Sequence, residues 1–174
     1  MSSPTFRSLV LVLSCLLAAC AGRTNSAPTL PDGNKIAIVL LPDRGITPDI
    51  DAERAKQLND LGHWMEGDLV DILNKTGYSA TRSNDDSIQP GPGRYVLRVK
   101  ISNYDAGSKA QRILLGFGAG AARLDTHFEL IGQDNAVALA GDPSVASGRD
   151  WTNAARKINL NTVDSVNAYL RRAH

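Results

Sequence analysis

Two stretches of the chain alternate with period two, and they constrain the fold more than any other feature. In "RYVLRVKISNYD" (94–105), Tyr95, Leu97, Val99 and Ile101 share one face, with Arg94, Arg98 and Lys100 on the other. In "AARLDTHFELIG" (121–132), Leu124, Thr126, Phe128 and Leu130 alternate with Arg123, Asp125, His127 and Glu129. Successive side chains of a strand point to opposite faces, so each run predicts a strand with one buried and one wet face, the habit of antiparallel sheets. "QDN" (133–135) then predicts a tight turn, and "AVALAGDPSVASG" (136–148) a further strand, broken or bulged at Asp142-Pro143 because proline cannot donate to a ladder.

The rest of the chain supplies partners for that meander. "KIAIVLLP" (35–42) is a β-branched and leucine run ended by proline, which predicts a buried strand. In "DIDAERAKQLNDLGHWMEGDLVDILNKTG" (49–77), Leu58, Leu61, Met65, Leu69 and Leu73 recur at three- and four-residue steps, the stripe of an amphipathic helix. Asp51 suits its N-cap and Gly77 its C-cap. Gly62 costs that helix about 1 kcal/mol relative to alanine, so a close approach by another element is expected there. "YSATR" (78–82) predicts a short strand and "SNDDSIQPGPG" (83–93) a loop. Ile158, Val163, Val166, Tyr169 and Leu170 predict a second helix within 151–173. The expected fold is α+β: a mixed, mainly antiparallel sheet of four to five strands with two helices packed on one face.

The N-terminus predicts an address. "MSSPTFR" carries one charge, Arg7, and precedes the apolar "SLVLVLSCLLAA", which has the parts of an export signal and is too short to span a bilayer comfortably. Leu17-Ala18-Ala19-Cys20 resembles the lipobox of bacterial lipoproteins. That resemblance implies signal-peptidase recognition of Leu17, Ala18 and Ala19, a diacylglyceryl group on the Cys20 sulfur, cleavage before Cys20 and acylation of the new amino terminus. An ordinary signal peptide that happens to carry a cysteine is the plainer alternative. The chain then divides into a signal peptide (1–19), a lipidated N-terminus with flexible linker (20–34) and one periplasmic domain (35–174). Ala21, where an Asp would imply retention at the inner membrane, implies the outer membrane with the domain facing the periplasm. A single acyl chain holds only reversibly, whereas two or three hold firmly. Cys15 leaves with the leader, so the domain has no free thiol and no disulfide, and an ordinary apolar core must stabilise it.

Charge excludes one class of partner. Lys and Arg number 19 and Asp and Glu 18, so loss of Arg7 leaves the mature chain near neutrality. No basic stripe interleaved with aromatics is present, which argues against nucleic acid. Arg171-Arg172 is too short for a polybasic patch and suits a helix C-terminus, where positive side chains oppose the macrodipole.

"GFGAGAARLD" (116–125) satisfies the spacing of a dinucleotide-binding loop, but that loop needs a helix whose free N–H groups hold the pyrophosphate. Residues 121–131 alternate with period two instead, so no nucleotide or other cofactor is expected. Gly116, Gly118 and Gly120 would present one bare face of an extended segment to another backbone or a ring. "ILLGFGAGAA" (113–122) is either core packing at a strand entry or an exposed run that docks on a partner chain or the lipid surface.

"YVLRVKISNYDAGSKAQRILLGFGAGAARLDTHFELI" (95–131) resembles the central signature of a family of small bacterial lipoproteins, the domain of unknown function 4410. Gly107, Arg112, Gly116, Phe117, Gly118 and Gly120 carry the likeness, as structural or partner-binding positions. The arrangement is similar, more distantly, to the periplasmic domain of the curli-secretion channel lipoprotein. The family resemblance implies an α+β fold and an envelope location and leaves activity open.

Candidate chemistry is sparse. His63, His127 and His174 have no metal-ligand spacing, Asp85-Asp86 lacks a second calcium-loop element, and Asp125 and Glu129 sit among Arg123 and His127 in a mixed-charge surface. No catalytic residue and no metal ligand is assigned. Two functions remain. One is a non-catalytic, lipid-anchored module that binds protein partners, itself included, or supports envelope assembly, with a subunit of an oligomeric export channel as a variant. The other is a small hydrolase-like enzyme whose site is assembled from scattered residues. A deep pocket with convergent His, Asp or Glu would favour the enzyme, and a filled core with an exposed edge the module.

Overall fold

The computed structural model describes residues 26–105, 121–147 and 150–174. Cys20, Leu17, Ala18, Ala19, Gly107, Arg112, Gly116, Phe117, Gly118 and Gly120 therefore lie outside the described residues.

The apolar run at 35–42 forms β1 (Ala37–Asp43), followed by α1 (Ala52–Thr76), β2 (Ser79–Arg82), β3 (Arg94–Asp105), β4 (Ala122–Ile131), β5 (Val137–Gly141), β6 (Ser144–Ser147) and α2 (Trp151–Ala173). The sheet order is β2-β1-β3-β4-β5, with β6 also on β4. β1 pairs in parallel with β2 and β3, and β4 pairs antiparallel with β3, β5 and β6. The fold is α+β with a mixed sheet and two helices. Asp142-Pro143 interrupts the last strand as expected, and the Thr126 N–H donates to the Pro143 carbonyl at 3.0 Å across the gap.

Both caps of α1 form where the sequence places them. The Asp51 carboxylate accepts from the Arg54 N–H at 2.8 Å, and Gly77, at φ 116°, donates its N–H to the Leu73 and Asn74 carbonyls. At α2 the Asp150 carboxylate accepts from the Asn153 N–H, which fixes a start at Trp151. The helices run in the same direction. Trp64, midway along α1, meets Trp151 at the start of α2 edge-on (5.8 Å between centroids), and the hydroxyl of Tyr78, just past α1, donates to Asn167 Oδ1 at 2.7 Å in the second half of α2.

The helices cover one face of the sheet. Ile38 and Leu40 of β1, Leu97 of β3 and Phe128 and Leu130 of β4 meet Leu69 and Leu73 of α1 and Val163, Val166 and Leu170 of α2. A second apolar cluster continues towards the helix N-termini around Leu58, Leu61, Met65, Ile101, Tyr104 and Leu124. Alternation in β3 changes phase on the way. Ile101 pairs with Thr126 but Asn103 with Asp125, so Ser102 is the extra residue of a bulge and Tyr104 turns inward.

One expectation needs correction. Residues 26–34, read as part of a flexible linker, lie against the domain. The Ala27 N–H donates to the Thr76 carbonyl at 2.7 Å, Arg171 donates from Nε and Nη2 to the Ser26 carbonyl at 3.0 and 2.7 Å, and Leu30 packs on the core beside Gly93. The Arg171 partner is distant in sequence, which is why composition alone reads the segment as loose. Among the described residues no helix is long and apolar enough to cross a membrane.

Candidate functional site

The face of the sheet turned away from the helices is organised in cross-strand rows. Val39, Val96 and Ile131 form an apolar row with Ile88 from the 83–93 loop packed on it, and the row ends at the exposed Val137. The next row runs Leu41, Arg98, Glu129, and the one after it Asp43, Lys100, His127, with Asp142 beyond. Past the bulge lie Asn103, Asp125 and Ser144. Opposite charges directly across a ladder contribute a few tenths of a kcal/mol each, so this order favours the register without making a core. The two middle rows line an open groove of about 630 Å3, to which Arg44 and Ile46 after β1 and Asn84 and Asp86 after β2 also contribute.

Most charges in the groove are already engaged. Lys100 Nζ lies 3.3 Å from Asp43 Oδ2. His127 places Nδ1 2.7 Å from Asp142 Oδ1 and Nε2 3.5 Å from Glu129 Oε1. The hydrogen bond to Asp142, reinforced by Glu129, raises the His127 pKa above its ordinary value. With a carboxylate beside each ring nitrogen, the protonated imidazole is favoured and both nitrogens are occupied by this surface's own groups. Asp125 accepts from Ser144, from Asn103 Nδ2 at 3.1 Å and from Arg123 Nε at 3.2 Å, and the Ser144 bond most of all keeps its carboxyl below the usual range. Arg98 differs: it is exposed and has no side-chain partner among the described residues. A guanidinium so placed presents a planar fork suited to a carboxylate brought by a partner.

The groove wall is fixed from beneath. Arg44 Nε and Nη2 reach Glu66 Oε1 and Oε2 at 2.7 and 3.0 Å, and Arg82 Nη1 reaches Glu66 Oε2 at 2.7 Å. Glu66 is 4 % exposed, and its two arginine partners tie α1 to the loop after β1 and to the end of β2. The Arg44 stem crosses Gly62: a Cβ there would stand 2.7 Å from Arg44 Cγ and 2.9 Å from Cδ. This is the close approach that a glycine inside a helix signals. Glu66 itself was missed by sequence reasoning. Its only signal is position, one turn after Gly62 on the flank of the apolar stripe.

The remaining sequence candidates are placed apart. His63 is exposed on α1, and His174 Nε2 lies 3.0 Å from the Tyr95 hydroxyl at the far end of the sheet. Asp85 closes a turn by accepting from the Ser87 N–H and hydroxyl. Among the described residues no group of three or more His, Cys, Asp or Glu could hold a metal ion.

The model of a family described as Domain of unknown function (DUF4410) matches residues 24–149. Two solved structures share the fold. A dodecamer of a PelC point variant from Paraburkholderia phytofirmans is 21 % identical, with 82 % of this chain and 92 % of that chain covered and a TM-score of 0.52. A PelC dodecamer from the same organism is 18 % identical, with 82 % and 93 % covered and a TM-score of 0.51. An uncharacterized lipoprotein B from Nitrosomonas europaea aligns at 11 % identity over 85 % and 88 %, with a TM-score of 0.38. No curated protein matches the chain.

Proposed function

The chain belongs to the family of the domain of unknown function DUF4410, and from that premise we propose that it is a non-catalytic, lipid-anchored module that docks a protein partner on the open face of its sheet. The anchor is the acylated Cys20, and the site of action is the periplasmic side of the outer membrane. The observation that carries the reading is the Arg98 row: an exposed guanidinium between Leu41 and Glu129, on a floor whose other charges are engaged. A partner that brings a carboxylate and a small apolar group meets complementary chemistry there, and the surrounding pairs set register. His127 supports the same reading, because its two ring nitrogens lie beside Asp142 and Glu129 of this surface.

Self-association is a second reading. The similar PelC structures are dodecamers by description, and this sheet ends in two unlike edges, the short β2 and the interrupted β5–β6, where β5 exposes Val137 to 53 %. Unlike edges favour head-to-tail contacts, which close into rings.

The test is a photo-crosslinking residue at position 100, on the open face, and at position 164, on the exposed side of α2, in intact cells. Position 100 should capture a partner and position 164 should not; capture of a second copy from position 137, at the β5 edge, would favour self-association. Capture at 164 alone would contradict docking on the open face. For the anchor, Cys20→Ala should stay folded and leave the membrane fraction, and continued co-sedimentation with the outer membrane would contradict it.

A further inference from the structure

The two ends of the domain differ in charge and in their distance from the anchor. Because the helices run in the same direction, the C-termini of α1 and α2 share one pole with the starts of β1 and β3. Exposed Lys35, Lys75, Arg94, Arg171 and Arg172 lie at that pole, against Asp32, Asp71 (3.9 Å from Lys75 Nζ), Asp134 and the carboxylate of His174. The opposite pole, at the helix N-termini, carries Asp43, Asp49, Asp51, Glu53, Asp105 and Asp150 against Arg54, Lys56, Lys100 and Arg123, so its charges nearly balance. Ser26 and Ala27 are fastened to the basic pole, by Arg171 and the Thr76 carbonyl.

We propose that the basic pole lies against an anionic phospholipid surface, with Lys35, Lys75, Arg94 and Arg172 at the head groups. The inference rests on the acylation of Cys20 proposed above. Six residue steps separate Cys20 from Ser26, a leash of about 20 Å when fully extended. α1 alone, at 25 residues, is about 37 Å long, so the fastened pole is the one the leash brings to the bilayer. Charge points the same way: the net basic pole is attracted to an anionic leaflet, and the other pole, where acids and bases are interspersed, has no such attraction. Lys75, Arg171 and Arg172 also oppose the dipoles of the two helices, but Lys35 and Arg94 stand at strand starts, where no helix dipole calls for them. The open sheet face then stands at the side of the domain, clear of the membrane and reachable by a partner.

The experiment uses the processed full-length protein on vesicles of phosphatidylcholine with and without phosphatidylglycerol. Brief lysine acetylation is read residue by residue by mass spectrometry, and intact mass reports the state of Cys20. On the anionic vesicles Lys35 and Lys75 should lose reactivity several-fold relative to Lys56 and Lys100, and high salt should restore it. Replacing Arg94 and Arg172 by Gln should weaken the anionic-lipid dependence by up to about fivefold per charge removed. Equal reactivity at both poles, or stronger protection of Lys56 and Lys100, with Cys20 acylated, would overturn the orientation and leave the anchor standing. An unacylated Cys20 would remove the anchor and this proposal together.

Discussion

Glu129 and Leu130 are neighbours in β4, yet they face different worlds. Leu130 is fully buried beneath both helices, and Glu129 stands on the open groove floor beside His127. The same contrast runs along the middle rows of the sheet: the helix side is fixed by apolar packing, and the open side carries charge pairs in register next to the smaller apolar row of Val39, Val96 and Ile131. The larger apolar core therefore lies on one side of β3 and β4 and the proposed docking surface on the other, so charged residues of the open face can be changed at small cost to the core.

The sharpest way to break that comparison is to truncate the two neighbours. Leu130→Ala should cost about 3 kcal/mol, transfer plus cavity, and Glu129→Ala less than about 0.5 kcal/mol, both read by urea unfolding. Equal costs would erase the distinction. Next in size is the buried carboxylate that holds the groove wall. Glu66→Gln should cost about 2 kcal/mol, less than for a fully buried pair because Arg44 and Arg82 are each about a third exposed. Thr126 sharpens the contrast from the covered side. Its hydroxyl is buried without a hydrogen-bond partner among the described residues, so Thr126→Val should stabilise the domain by about 1 kcal/mol, seen as a raised unfolding midpoint.

The smallest effect belongs to the open face. His127 has its pKa raised in the folded state, so its contribution is fully present below the unfolded value of about 6.5 and is lost as pH rises through the folded pKa. The group is exposed and screened, so the change should be a few tenths of a kcal/mol. Asp142→Asn should lower the His127 pKa in an NMR titration. An unmoved pKa would mean that the 2.7 Å contact is not formed in solution.

What was legible in the sequence was whatever a local pattern encodes. Alternation in 122–131 identified Leu124, Phe128 and Leu130 as inward, and Asp51 and Gly77 announced the ends of α1. Gly62 announced a close approach without naming Arg44. The rest depends on long-range pairing that no local window contains. The bulge at Ser102 lies among polar residues, where one register reads like another. Glu66 acquires its meaning only from arginines on two other segments, and the docking of Ser26 depends on Arg171 at the far end of the chain. For the open face, the sequence offered charges at the right period, and only the pairing of three strands turned them into rows.

The central claim is that the open face binds and the covered face folds. Its most direct measurement is Arg98→Glu, with thermal unfolding and crosslinking from position 100 followed in the same preparation. The melting temperature should stay unchanged while the captured partner is lost. A lowered melting temperature with capture intact would contradict it.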